Sequence, residues 1–449
     1  MKFISSALLS MLMLMVCACG NHSKESVVTN QSKDSMVIIA VNTPNGVGYF
    51  VDSDGTILFN KQFEFVDKFS YGLARVYQNG KWGYINTKGE QVIPCIYDGV
   101  GSFSEGLAKV EQNDKEGFIN TKGEMVIPCI YDLALWFSED LARVKQNGKW
   151  GFINTQGELV APCIYDGVEP FTEGIACIYQ NGKCGFINTK GDVVIPCIYD
   201  DAWSFSEGLT PVKQNDKWGF INTKGELIIP CIYDGVGSFS EGFAKVEQND
   251  KWGFINTKGE VVIPCIYDLA GGFSEGLAQV EQNRKWGYIN TKGEVVIPCT
   301  YDYTCDFSEG LARVERNGKY GFINIKGEVV IPCVYDYVEP FSEGYTCVKQ
   351  NDKWGYINTK GEVVIPCIYD YAWSFHEGLA SFKQNDKEGF INTKGEVVVP
   401  CIYDNAWGFS EGLSKVKQND KWTIINTEGK VIVPECVVLY TKWSKVKME

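Results

Sequence analysis

Leu277-Ala278-Gln279-Val280-Glu281-Gln282-Asn283-Arg284-Lys285-Trp286-Gly287-Tyr288-Ile289-Asn290-Thr291-Lys292-Gly293-Glu294-Val295-Val296-Ile297-Pro298-Cys299-Thr300-Tyr301-Asp302 holds three strand patterns and two turn signals. Leu277 to Gln282 alternates as a first strand does. Asn283-Arg284 is a two-residue turn, and elsewhere in the chain the same place reads Asn147-Gly148 or Asn249-Asp250, residues that tolerate positive φ. Lys285 to Asn290 is a second strand. Thr291-Lys292-Gly293 is a three-residue hairpin loop with glycine at the left-handed position. Glu294 to Cys299 is a third strand, and Pro298 lacks a ladder donor, so that strand is expected at an edge or bulged.

The segment is one copy among many. Trp-Gly recurs at Trp82, Trp150, Trp218, Trp252, Trp286 and Trp354. Glu116, Cys184, Tyr320 and Glu388 stand in for the Trp at the intervening steps, and Trp422-Thr423 ends the series. From 82 to 422 there are ten steps of 34 residues without slippage. A degenerate unit, Val47-Gly48-Tyr49-Phe50-Val51-Asp52, precedes them, giving about twelve. A period of 34 also suits paired helices, but glycines in two or three places and a proline in most units would break them. The enrichment in Val, Ile, Tyr, Phe and Trp suits strands.

Three short strands cannot bury a core alone, so neighbouring units must stack. The expected fold is all-β: three-stranded antiparallel units forming an open superhelix or arc, with a closed toroid or propeller as the alternative. The last unit has the departures expected of a cap, with Thr423 for the Gly and Glu435 within Pro434-Glu435-Cys436.

Motifs such as Lys251-Trp252-Gly253-Phe254-Ile255-Asn256 and Phe239-Ser240-Glu241-Gly242 resemble the bacterial WG-repeat family over roughly residues 47 to 436. The resemblance implies a repeat architecture in exported or surface-associated bacterial proteins, and no particular chemistry.

The N-terminus carries an address. Lys2 precedes a short apolar run from Ile4 to Val16, too short for a permanent span and suited to a secretory signal. It ends in Val16-Cys17-Ala18-Cys19-Gly20, which resembles a lipobox with Cys19 as the lipidated residue. Cys17 suits this less, because it would follow β-branched Val16. The expected organisation is a signal peptide over 1–18, a lipidated Cys19 with a polar tether over 19–35, and the repeat array over 36–449. Acyl chains on Cys19, palmitate among them, would anchor the protein stably. The expected location is the bacterial outer membrane facing the periplasm, with the cell surface as the other option.

The bulk numbers exclude classes of function. A formal charge of −14 repels phosphate backbones, so nucleic acid is not an expected partner. Histidine occurs only at His22 and His376, so no His-based catalytic or metal cluster can assemble. The repeated carboxylates, such as Asp268 and Glu275, lie several residues apart beside turns. That suits capping better than calcium, which needs six to eight oxygens. No cofactor, metal or catalytic residue is expected.

Cysteine is abundant at seventeen, and ten form a series from Cys95 to Cys401 at one place per unit. Copies one repeat apart are too distant to bridge, and Cys265 shares strand parity with Ile263 and Tyr267, so the series reads as small core residues. Cys177 and Cys184 share a hairpin and a face, and are the candidate disulfide.

Two aromatic rows remain. The residue two beyond each Trp, such as Phe254, is aromatic in ten units and reads as core. The Trp place accepts Glu116 and Glu388, which argues that it is partly exposed, either stacking on ligand or stapling repeats. The Gly between them suggests close backbone approach by the next repeat. The four residues after each Tyr-Asp vary most, and such variation marks one face of an array. Trp136, Trp203, Trp373 and Trp407 sit there as candidate ligand-binding residues. The expected function is a non-catalytic scaffold that binds an envelope protein or glycan, with a purely structural spacer as the alternative and an enzyme disfavoured.

Overall fold

A computed structural model describes residues 35–436 and 442–447. The signal, Cys19 and nearly all of the tether lie outside the described residues.

Twelve four-stranded antiparallel sheets follow one another along the chain. Blade 7 shows the plan: a two-residue first strand (Gly235–Val236), then Phe243–Gln248, Lys251–Asn256 and Val261–Tyr267. The extra strand comes from the variable residues after Tyr-Asp, which pair with the strand read as first, Gly235 opposite Glu247. Three turns join the four strands. In blade 8, Glu275-Gly276 and Asn283-Arg284 each place two residues at positive φ, the geometry of a tight hairpin, and Gly293 has φ 79° in the third loop. Phe-Ser-Glu-Gly is therefore a hairpin within a blade.

The proline-bearing strand lies at the sheet edge and is bulged as well. Trp252 pairs with Tyr267 and Phe254 with Ile263, so the fourth strand spends two extra residues over the same step. This reverses the expected parity of the cysteines. Ile263 and Tyr267 pack towards blade 8, whereas Cys265 packs on the cluster shared with blade 6, half-buried, its thiol donating to the Val246 carbonyl at 3.6 Å. The bulge also explains the Gly of Trp-Gly. A Cβ on Gly253 would lie 2.4 Å from the Ile263 carbonyl oxygen and 2.6 Å from the Pro264 carbonyl carbon. The close approach comes from the blade's own fourth strand, not from the next repeat.

The core lies between blades. Each of twelve apolar clusters joins one blade to the next, as Phe254, Ile263 and Tyr267 of blade 7 join Ala270, Phe273 and Val280 of blade 8. At eleven of these joints a third-strand ring meets the Phe before the first turn of the next blade. Phe254 and Phe273 are 4.9 Å apart at 60°, an edge contact of the kind worth about 1 kcal/mol beyond its burial.

Twelve sheets in an open row would have eleven such joints. The twelfth cluster joins Ile39, Val41 and Val51 of blade 1 to Leu413, Ile424, Val433 and Cys436 of blade 12. The two ends of the chain also share a sheet, because Lys442–Lys447 pairs with Ser35–Asn42, Ala40 opposite Lys442 and Ser35 opposite Lys447. The array is thus the closed, propeller-like alternative, a ring of twelve blades. Its degenerate terminal units meet each other at the seam instead of covering open ends.

Polar side chains repeat at the same joints. Asp268 pairs with Lys251 of its own blade and accepts the Asn283 N–H of the next blade's turn at 2.8 Å. Both contacts hold its carboxyl below the usual carboxylate range, the lysine bond first. Glu241 accepts the Glu275 and Gly276 N–H groups of the next blade at 2.8 and 2.9 Å. These carboxylates cap turns across the joint. No group of three or more metal-ligating side chains occurs among the described residues.

Candidate functional site

The Trp-Gly tryptophans sit within the blade joints. Trp150, Trp218 and Trp252 are half-buried against the clusters that join their blades to the next, and Trp354 is 6% exposed. Trp354 touches Tyr337 of its own blade at 5.8 Å and Tyr371 of blade 11 at 4.7 Å. The row staples neighbours. The expectation that Glu at this place implies exposure also fails, since Glu388 is only 6% exposed. It is accommodated because its carboxylate accepts the Ala406 N–H of blade 12 at 2.5 Å. Glu116 does the same for Ala134 and also pairs with Lys109 Nζ at 2.8 Å.

The variable segment is more open. Trp203, Trp373 and Trp407 occupy the same place in blades 6, 11 and 12, just beyond the two-residue first strand, and are 39%, 37% and 45% exposed. Each is fixed by its backbone N–H, which donates across the blade to the carbonyl of Pro211, Ser381 or Lys415. Trp203 leans on Trp218 at 5.4 Å, Trp407 on Trp422 at 5.7 Å and Trp373 on Tyr371 at 4.5 Å, so each ring keeps one part supported and another in solvent. Trp136 differs from the other three. It lies one place further along a continuous strand, Leu133–Ser138, and its indole covers Gly101 of blade 3, where a Cβ would sit 2.2 Å from the ring.

Basic side chains close four of the neighbouring gaps. On the second strand, Arg75, Arg143, Lys245 and Arg313 each reach the next blade and donate to a first-strand carbonyl, those of Val100, Val168, Ala270 and Val338. In blade 11 the same place holds Ser381. A cleft of about 440 Å³ opens there between Trp373 and Trp407, lined also by His376, Ser381, Glu388 and Asn405. Sequence reading missed Ser381, Glu388 and Asn405 as site residues. The available signal was a unit in which Glu388 stands for the Trp and Ser381 for a basic residue at once.

Cys177 and Cys184 are both buried free thiols in blade 5, diagonal across the hairpin as expected, Cys177 opposite Phe186 and Cys184 opposite Tyr179. Their mutual hydrogen bond, then burial, pushes the Cys177 thiol far above the ordinary range. The repeated series is also free and is shifted upward by burial, as at Cys265.

No curated protein is significantly similar to this chain. Among solved structures, a eukaryotic initiation factor covers 77% of this chain and 97% of its own, at 11% identity and a TM-score of 0.36. The extracellular domain of a putative hybrid two-component system from B. thetaiotaomicron covers 86% and 69%, at 8% identity and a TM-score of 0.22. The model of the WG containing repeat matches eleven tandem segments, from 50–82 to 389–422. Each matched segment runs from about one Trp place to the next and so straddles two blades. With those matches spanning nearly all of the ring, the chain belongs to the family of WG containing repeat proteins.

Proposed function

We propose that this protein is a non-catalytic binding scaffold of the bacterial envelope, anchored through lipid on Cys19, which holds an envelope protein or glycan on the variable rim of its ring. The observation that carries the reading is the shared placement of Trp203, Trp373 and Trp407. All three stand at one place in the blade, braced by a neighbouring ring and open to solvent. Large aromatic surface held rigid and partly exposed is what recognition surfaces use, because little side-chain entropy is lost on contact. A closed ring widens rather than extends as repeats are added, which suits a binding platform better than a linear spacer.

The anchor rests on Val16-Cys17-Ala18-Cys19 followed by a polar tether. Capture of partners from native envelope by the lipidated protein, repeated with Trp203, Trp373 and Trp407 all changed to Ala, tests the rim. Loss of a partner with the ring still folded supports it, and unchanged capture rejects it. Cys19→Ser should release the protein from membranes and abolish the acyl mass; an equally membrane-bound, unaltered product would refute the anchor.

A further inference from the structure

The joint between blades 11 and 12 departs from the repeat at several places that all face one space. Ser381 puts a small side chain where Arg75, Arg143, Lys245 and Arg313 bridge to the next blade, a place that also lacks a basic residue at Cys177, Pro211, Gln279 and Cys347. Glu388 replaces the stapling Trp. His376 replaces the turn serine, which at Ser206, Ser240 and Ser342 donates to the next blade's Phe carbonyl. Trp373 and Trp407, one blade apart, flank the opening. In blade 3 the Glu at the Trp place is neutralised by Lys109, but in blade 11 the equivalent of Lys109 is Ser381. Lys383, opposite Glu388 on the neighbouring strand, bonds Asp386 in its own turn at 3.2 Å.

One polar atom at the cleft is left over. Asn405 Oδ1 is buried and has no hydrogen-bond partner, a costly state for a carbonyl oxygen unless a donor arrives from outside. The cleft thus offers two indole platforms, an unused acceptor, a carboxylate, a hydroxyl and an imidazole within about 440 Å³.

We infer that this cleft is a saccharide-binding site, in which Trp373 and Trp407 stack on pyranose faces while Asn405, Glu388, Ser381 and His376 bond the ring substituents. A pyranose joins an apolar C–H face to hydroxyl donors at its rim, which is the complement of these walls. A cationic peptide side chain fits less well. The one carboxylate at the cleft already serves the Ala406 N–H, and burial shifts it towards its neutral form.

The inference rests on the rim reading above and narrows it to one joint and one ligand class. The test is an immobilised panel of neutral and N-acetylated oligosaccharides probed with the whole protein, followed by titration of the bound member in solution. Ser381→Arg places in blade 11 the residue that blades 2, 4 and 9 carry there, so it fills the cleft with a side chain the fold accommodates. It and Trp373→Ala should each weaken saccharide binding at least about tenfold. Ile266→Ala, exposed on the fourth strand of blade 7, should leave it unchanged. Unaltered thermal unfolding in Ser381→Arg shows that the loss is local.

The inference is overturned if no panel member binds the wild-type protein at up to about 10 mM, or if Ser381→Arg binds as well as wild type. In the second case, loss with Trp203→Ala would leave the rim reading standing and place the ligand elsewhere on it. A silent panel, with an envelope protein captured in a rim-dependent way, would likewise overturn the saccharide site alone.

Discussion

Thr423 Oγ1 donates to the Pro434 carbonyl at 3.1 Å, in the only blade of the Trp-Gly series where the Gly is replaced. The opposing strand has changed with it. Trp422 pairs with Cys436 and Ile424 with Val433, so the bulge holds one extra residue here against two in blade 7. The side chain appears where the bulge has shrunk to admit it.

Gly253→Ala should therefore destabilise the ring by about 3 kcal/mol, since the new methyl meets backbone that the bulge cannot withdraw. Thr423→Gly should cost much less, losing one partly exposed hydrogen bond. Urea unfolding of the two variants measures the contrast, and equal costs would contradict the bulge argument.

The seam gives a second prediction. Removing residues 437–449 deletes the strand that pairs with Ser35–Asn42 and uncovers Ile38, Ile39 and Ala40, all buried in the intact ring. The truncated chain should melt roughly 5 °C lower and associate through the bare edge. Scattering with thermal denaturation reports both, and a monomer of unchanged Tm would show that the closing strand contributes nothing.

Acid should weaken ten of the twelve joints together. Asp98, Asp132, Asp166, Asp200, Asp234, Asp268, Asp302, Asp336, Asp370 and Asp404 all titrate below the usual range, each because a lysine and a turn N–H favour the anion. A folded pKa below the unfolded value of about 3.9 means that the stabilisation is complete above about pH 5 and is lost as pH falls through the folded values. Stability should be flat from neutrality to about pH 5 and then fall. Asp268→Asn with Asp302→Asn should shallow that fall while lowering stability at neutral pH. Thermal melts across pH decide it.

The Glu-Gly turns predict a local effect. Glu241→Ala removes the acceptor of the Glu275 and Gly276 N–H groups. Hydrogen exchange at Gly276 should speed up about tenfold, with the amides of the other blades unaffected. A ring-wide change would mean that the cap matters to the whole assembly rather than to its own joint.

The period, the strand residues and the two kinds of tight turn were legible because each is written in local chemistry: Asn283-Arg284, Gly293, Pro298. The side on which Cys265 faces was not, because two bulge residues invert a parity that alternation alone cannot reveal. Closure was hidden for a different reason. Strand pairing runs through the backbone, so Lys442–Lys447 carries no mark that names Ser35–Asn42 as its neighbour. A clue did exist, since the first unit lacks a leading strand and an alternating segment, Lys442-Trp443-Ser444-Lys445-Val446, is left over at the other end. The exposed row at Trp203, Trp373 and Trp407 was readable from repeat variability. The cleft beside Trp373 was not, since it depends on Ser381 and Glu388 meeting across strands.

A closed ring also counts its own repeats. Units this alike invite unequal recombination, and an open array would absorb the gain or loss of one by growing or shrinking. Here each blade takes a twelfth of the full turn, so one unit more or fewer would change the angle at every joint and ask twelve apolar clusters to repack at once. Copy number in this gene should therefore be held by geometry, while the residues after each Tyr-Asp remain free to diversify.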